Sequence, residues 1–204
     1  MSSLYQQKKT NLQQALDLIQ SGDNICFAGG CNQPVALMKQ FHTVAPRVRN
    51  VECIKSRSGD YEFVTAPGMN GHINTGSPLY GEAFNEGMKH GNTSHIVCDM
   101  HDYARFVSEH KPVNTFIAAV SPMDENGNFQ VGLNLMWEKE CLETSSKVIL
   151  EVNENLPRMQ GGLDIHISRV TAFYDATYPL PECREELPTQ VEATIADYIA
   201  DLVS

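Results

Sequence analysis

The sequence predicts an α/β fold, with a mostly parallel, open β-sheet and helices on both of its faces. Two observations predict it: short apolar runs alternate with amphipathic helical segments, and glycines at 29 and 30 follow the first apolar run. Alternating strands and helices favour a parallel sheet, because parallel neighbours need a crossover connection. A chain of 204 residues is long enough for one large domain with a buried core, or for two small ones.

The individual elements follow from local patterns. Helices are predicted where apolar residues recur at helical spacing, and Gly22 and Pro34 mark the end of the first helix and the start of the second. Strands are predicted at short apolar runs, and Asn126-Gly127 marks a tight turn. Residues 57–78 carry scattered Gly and Pro, so we expect a long surface segment near a site. In chain order, the elements are helix 10–21, strand 25–28, helix 34–44, strand 51–54, helix 79–89, strand 95–98, helix 99–108, strand 113–120, turn 124–127, a return strand over 129–131, helix 136–143, strand 147–152, strand 170–174 and helix 189–203.

Composition argues against several classes of function. The chain has 15 Lys and Arg against 25 Asp and Glu, and a net charge of −10 disfavours a nucleic-acid partner. No apolar run approaches the roughly 18 residues of a membrane-spanning helix, and the polar N-terminus has no signal-peptide core. We therefore expect a cytoplasmic protein without a membrane partner. Its six cysteines form no CxxC pair and are expected to be free thiols.

The first candidate site is the turn FAGGCNQP at 27–34, between the first strand and its helix. Ligands of open α/β sheets bind at the carboxyl ends of strands, and glycines there let a ligand approach the backbone. The start of the helix offers free N–H groups to an anion or a carbonyl oxygen. The turn has neither the P-loop pattern nor GxGxxG, so a tight turn without a ligand is the alternative.

The second candidate is the segment 121–128, which leads into Gly132-Leu133-Asn134. Glu125 is a possible nucleophile, because a carboxylate can attack an activated acyl group. The alternative is that 124–128 is only a solvated hairpin turn. Asn134 follows a glycine at the end of a strand, where its amide could orient a carbonyl group.

Two further clusters have weaker spacing. His166 and Ser168 would point the same way on a strand, but no orienting acid or nucleophile elbow accompanies them, and a structural histidine is the alternative. A group of possible metal ligands lies close in sequence without the spacing of a zinc motif, so we predict no metal site. That group is His90, His95, Cys98, Asp99, His101 and Asp102.

Six segments spread from end to end carry a resemblance to a known family. They are ALDLIQSGDNICFAGGCNQPVAL, GEAFNEG, VSPMDENGNFQVGLN, KVILEVNENLPRMQGG, IHISRVTAF and IADYIADLV. In their order and spacing they resemble the acetyl-CoA hydrolase/transferase family, which includes the 4-hydroxybutyrate, butyrate and acetate CoA-transferases. The resemblance implies a fold of the CoA-transferase (NagB/RpiA-like) type, built from two similar α/β domains.

The resemblance also implies a ping-pong exchange of coenzyme A between an acyl-CoA and a short carboxylic acid. A glutamate on the second domain attacks the thioester, and the first domain shapes the acyl pocket. It therefore implies no catalytic residue in this chain and no tightly bound cofactor, with the coenzyme A thioester as substrate. The residues implied for substrate binding are Gly29, Gly30, Cys31, Asn32, Gln33, Gly132, Leu133 and Asn134.

Two departures bear on that expectation. Some family members place a histidine in the pocket loop where this chain has Gly29-Gly30-Cys31, which leaves the substrate class open. The sequence Glu125-Asn126-Gly127 imitates the nucleophile motif of two-subunit CoA-transferases, but its context matches the first domain's turn.

The expected organisation is an N-terminal CoA-transferase domain over 1–188 and a helix over 189–204 that leads to a second domain. We expect a separate catalytic domain or subunit as partner, in a chain that is either truncated or a natural half-enzyme, and a homo-oligomer. An acyl-CoA hydrolase and a non-catalytic acyl-CoA-binding module are the alternatives.

Overall fold

The structure is a computed structural model that describes residues 2–54, 61–79, 81–110, 112–180, 182 and 187–203. Its strands are β1 Asn24–Phe27, β2 Val51–Ile54, β3 Ile73–Ser77, β4 Thr93–His95, β5 Thr115–Val120, β6 Asn128–Val131, β7 Lys147–Val152, β8 Leu163–His166 and β9 Ala172–Asp175. Its α-helices are α1 Ser2–Lys8, α2 Leu12–Asp17, α3 Val35–Gln40, α4 Glu62–Thr65, α5 Glu82–His90, α6 Met100–His110, α7 Glu138–Thr144 and α8 Gln190–Ala200. Short 3₁₀ helices cover Gly30–Asn32, Phe41–Arg47 and Ile167–Arg169.

In the described part of the chain, seven parallel strands form the main sheet, in the order β4-β3-β2-β1-β5-β7-β9. The most extensive pairing is that of β5 with β7, which runs from Thr115 opposite Lys147 to Val120 opposite Val152. The strand order places β1 and β5 next to each other near the centre of the sheet, and because they are parallel, their carboxyl ends lie at the same edge. This arrangement confirms the predicted α/β fold with a mostly parallel sheet.

Both faces of the sheet are covered, because side chains alternate along the buried strands. On β1, Cys26 packs into one core with helices α6 and α7 and the small sheet β6–β8. Ile25 and Phe27 face the opposite core, which includes residues of α2, α3, α4 and α5. Phe27, Phe41 and Phe63 form the aromatic centre of that second core, with ring centroids 5.1 to 5.8 Å apart.

Three expectations need correction. The segment 57–78 is not one long loop, since α4 and β3 lie within it and β3 pairs with β2; its residues 57–60 lie outside the described range. The return strand β6 pairs antiparallel with β8, and it meets the end of β5 only at a bridge between Ser121 and Gln130. α1 was not anticipated, because SSLYQQK is mostly polar.

Helix α8 is poorly buried in the described chain. The helix was predicted from its amphipathic pattern, and a capping box at Thr189 and Glu192 marks its start. None of the residues of α8 is buried. Its apolar side chains are largely exposed, from 51% for Ile195 to 84% for the adjacent Leu202. In the residues described here, no helix combines the length and apolar character needed to cross a membrane.

Candidate functional site

The candidate site lies where β1 ends and the chain turns into α3. Gly29 has extended backbone, and Gly30 has a φ of 54°, in the left-handed region that glycine adopts without steric cost. A Cβ on Gly30 would lie 3.1 Å from the Cβ of Asn134. The turn therefore needs glycine both for its backbone angle and for the close approach of a segment more than a hundred positions away.

Asn32 fastens the turn to the end of β5 and to the segment after β6. Its side chain is buried, and its Nδ2 donates to the carbonyl of Ala119 at 2.9 Å. Its Oδ1 accepts from the amides of Leu133 and Asn134 at 3.0 and 3.1 Å. Asn32 thus holds the two predicted pocket segments side by side.

Glu138, at the start of α7, also joins these two segments through hydrogen bonds. It is fully buried, and its Oε1 accepts from the amide of Gly29 and from Nδ2 of Asn134, both at 2.9 Å. Its Oε2 accepts from the amides of Met136 and Trp137 at 2.5 and 3.0 Å. Four donors saturate a group that would otherwise be costly to bury.

A second buried carboxyl group, Glu151, lies near the end of β7 beneath the start of α3. It accepts from the amides of Ala36 and Leu37 at 3.2 and 2.9 Å, and from the hydroxyls of Tyr174 and Tyr178 at 2.5 and 2.6 Å. Burial raises the pKa of Glu151 above its ordinary value, and these hydrogen bonds offset only part of that rise. Burial and the neighbouring Glu151 also raise the pKa of Tyr178.

A cavity of about 360 Å³ opens over this turn. It is lined by Gly30, Cys31, Gln33, Val35, Lys39, Tyr61, Tyr178 and Pro179. The phenol of Tyr178 connects its wall to Glu151, and the hydroxyl of Tyr61 donates to Oε1 of Gln33 at 3.5 Å. None of the described residues lining this cavity is Asp or Glu, so its own wall offers no carboxylate to attack a bound thioester.

The predicted pocket residues take different roles in this geometry. Gly30, Cys31 and Gln33 line the cavity, whereas Gly29 and Asn32 are buried beneath it and bonded within the protein. The amides of Asn32 and Gln33 donate to the carbonyls of Gly29 and Gly30, but those of Gly30 and Cys31 donate to none of the described residues. Within the described part of the chain, the turn therefore leaves two of its N–H groups without an acceptor.

The second predicted segment is adjacent to the cavity but does not line it. Gly132 lies under Met159, since a Cβ there would be 3.0 Å from Cγ of Met159. Leu133 is 38% exposed, and the side-chain amide of Asn134 is held by Glu138. A role of these three residues in binding substrate stays a prediction, and the amides of Leu133 and Asn134 support the turn through Asn32.

The residues of the other candidate sites make structural contacts or lie on the surface. Glu125 is exposed in a turn that Asp124 organises by accepting from the amides of Asn126 and Asn128 at 3.0 and 2.8 Å. Nδ1 of His166 lies 2.8 Å from Oγ of Ser168, both on the surface. Among the described residues, no three His, Cys, Asp or Glu side chains converge as metal ligands, and the five cysteines described are thiols outside any disulfide.

Sequence reasoning missed Glu138, Glu151 and Tyr178. Glu151 gave a signal that could have been read, because an acid within the apolar run KVILEV predicts a buried carboxyl group with hydrogen-bonding partners. Glu138 and Tyr178 gave none, since the bond of Glu138 to Gly29 spans 109 positions and that of Tyr178 to Glu151 spans 27.

An open parallel sheet with a cavity where its first strand meets a helix defines the class of α/β proteins that bind small ligands at strand ends. A family model described as the acetyl-CoA hydrolase/transferase N-terminal domain matches residues 1–200. The chain belongs to this family, and the resemblance inferred from its motifs is confirmed.

Curated relatives carry CoA-transferase names. The chain is 26% identical over 199 residues to succinyl-CoA:cyclohexane-1-carboxylate CoA transferase of Geobacter metallireducens, covering 98% of this chain and 45% of that protein. It is 24% identical over 201 residues to 4-hydroxybutyrate coenzyme A transferase of Clostridium kluyveri, covering 98% and 47%. The chain therefore spans about half the length of the curated relatives it matches.

Solved structures agree with the fold. RipA from Yersinia pestis superposes with a TM-score of 0.89 at 25% identity, over 100% of this chain and 50% of that one. The 4-hydroxybutyrate CoA-transferase from Porphyromonas gingivalis superposes with a TM-score of 0.65 at 19% identity, over 89% and 42%. The second comparison supports the fold alone.

Proposed function

We propose that this chain is the N-terminal half of an acyl-CoA:carboxylate CoA-transferase and that it shapes the pocket for the acyl thioester. The observation that carries the proposal is the cavity over the β1–α3 turn, into whose wall the turn contributes Gly30, Cys31 and Gln33. The two free amides of that turn suit the carbonyl oxygen of a thioester. The relatives' names contain several different acyl groups, so they do not select one for this chain.

The division of labour follows from the chemistry of the cavity wall. Formation of an acyl–glutamyl anhydride requires a carboxylate in line with the thioester carbon and shielded from water. Among the described residues no carboxylate lines the cavity, and both oxygens of Glu151 beneath it are occupied by hydrogen bonds. We assign the attacking glutamate to a second domain or subunit, with residues 189–204 as the helix leading to it.

Reconstitution tests this proposal. The chain is incubated with butyryl-CoA and isotopically labelled acetate, alone and with the separately expressed C-terminal half of the Clostridium kluyveri relative. Labelled acetyl-CoA should form only in the mixture. A Cys31→Phe variant, which narrows the cavity, should lower the rate of exchange, whereas Cys98→Phe, outside the cavity wall, should not.

The other outcomes separate the alternatives. Turnover by the chain alone would contradict the division of labour. Release of free acid without labelled acetyl-CoA would favour the acyl-CoA hydrolase, which the family description also includes. Binding of butyryl-CoA without reaction in any mixture would favour a non-catalytic binding module.

A further inference from the structure

We infer that the cavity selects acyl groups that carry an anionic group at their far end, and that Lys39 binds that group. The inference rests on the proposed function, because it takes the acyl chain of a thioester as the occupant of the cavity. It names the substrate class of the site and the residue that determines it.

The first argument is the layout of the cavity along α3. Val35 and Lys39 are four positions apart on this helix, so they lie on one face, about 6 Å apart along its axis. Gly30 and Cys31, with their free amides, lie in the turn before the helix. A thioester carbonyl held at that turn would direct a short acyl chain past Val35 towards the ammonium group of Lys39.

The second argument is the charge of the two ends. Lys39 forms an ion pair with no acid of the described chain, although the protein carries 25 acidic residues against 15 basic ones. Of the two acids that flank the lining residue Tyr61, Glu62 pairs with Nε2 of His42 at 3.1 Å, and Asp60 lies outside the described residues. Glu151 is saturated by four donors. The cation in the wall therefore has no described carboxylate competing with a ligand for it.

The third argument is the nature of the remaining wall. Val35, Pro179 and the ring of Tyr178 provide apolar surface in the same cavity wall. An acyl chain that ends in a methyl group would occupy this surface but leave the ammonium of Lys39 unpaired. A chain of the same length that ends in a carboxylate satisfies both ends, and because Lys39 is exposed, the gain from the ion pair corresponds to at most roughly fivefold in affinity.

Matched ligands test this inference by equilibrium titration of the full chain at low salt. Freshly prepared succinyl-CoA and butyryl-CoA have four-carbon acyl groups that differ in a terminal carboxylate against a methyl group. We expect the wild-type chain to bind succinyl-CoA roughly threefold to fivefold more tightly at low salt. Lys39→Met should remove that preference, measured as the ratio of the two dissociation constants within the same variant. Lys89→Met, with an exposed lysine on α5, serves as control and should retain it.

The outcomes separate this inference from the proposed function. Equal affinity for the two thioesters, or a preference that survives in Lys39→Met, would overturn the role of Lys39 and leave the acyl pocket standing. Absence of binding for both thioesters in a folded wild-type chain would overturn the proposed function itself.

Discussion

The carboxyl edge of the sheet and helix α8 differ in how well this chain covers and satisfies their side chains. At the edge, Glu138 and Glu151 are completely buried, and each has four hydrogen-bond donors supplied by this chain. On α8, apolar side chains such as Ile195 and Ile199 are more than half exposed. The first region is complete within the chain, whereas the second presents apolar surface that no described residue covers.

This difference separates a region that supports the site from one whose apolar surface is left uncovered in the described chain. An isolated helix as short as α8 is marginal in water, because its first turn is costly to form and packing normally repays that cost. The stripe on α8 carries Glu192, Asp197 and Asp201 beside it and no basic residue, so it disfavours pairing with a second copy of itself. We propose the second domain as the surface that covers it.

The largest effect is expected from removing the carboxyl group that fastens the site. Glu138→Ala leaves four donors without their acceptor, two of them the buried amides of Gly29 and Trp137, and we expect it to lower the free energy of unfolding by more than about 3 kcal/mol. Urea unfolding followed by the fluorescence of Trp137, the one tryptophan of the chain, measures it. Glu140→Ala on the exposed side of α7 is the control, and an equal loss there would contradict the assigned role.

A smaller effect should follow from a methyl group in the turn. Gly30→Ala places a Cβ 3.1 Å from Asn134 in addition to the left-handed backbone cost. Gly22→Ala pays only that backbone cost, because no atom lies within 4 Å of its Cβ. We expect Gly30→Ala to be the more destabilising by roughly 1 kcal/mol in urea unfolding. Equal losses would mean that the approach of Asn134 is not tight.

The raised pKa of Glu151 predicts a pH dependence with a definite sign. Its folded state holds the proton more tightly than its unfolded state, so its contribution to stability is full below the ordinary carboxyl pKa. That contribution is lost as the pH rises towards the higher pKa of the folded state. Relative to Glu151→Gln, the wild-type free energy of unfolding should fall over this window, while Glu154→Gln, which is exposed, should follow the wild type. A difference that grows in the opposite direction would contradict the raised pKa.

The smallest effect is expected on α8. Ile195→Ala removes a half-exposed side chain and should change the free energy of unfolding by less than about 0.5 kcal/mol. Ile149→Ala, in the buried strand β7, should cost about 2–5 kcal/mol in the same urea experiment. A large loss at Ile195 would mean that α8 packs against this chain after all.

The sequence predicted most of the fold because its strands are short, fully buried apolar runs. Strand β7 was located to the residue, over 147–152, since KVILEV is bounded by polar residues on both sides. Strand β3 was not predicted, because INTGS has few apolar residues and is buried only through its neighbours β2 and β4. The pairing of β6 with β8 depends on a contact across more than thirty positions, which local patterns do not contain.

Only the part of the candidate site that has a local sequence signal could be predicted. The turn at 29–33 was readable, because glycines after a strand are a local signal. Lys39, Tyr61 and Tyr178 entered the cavity wall only through tertiary packing. The fastening of Asn32 to Leu133 and Asn134 likewise joins residues about a hundred positions apart.

Protection of Cys31 from alkylation tests the central claim most directly. Cys31 lies in the cavity wall and is partly exposed, and Cys98, also partly exposed, lies outside that wall and serves as an internal control. The full chain is treated with N-ethylmaleimide with and without butyryl-CoA, which has no free thiol, and mass spectrometry follows each cysteine. The account predicts that butyryl-CoA slows the modification of Cys31 and leaves that of Cys98 unchanged. An unchanged rate at Cys31 under saturating butyryl-CoA would contradict the pocket assigned to the β1–α3 turn.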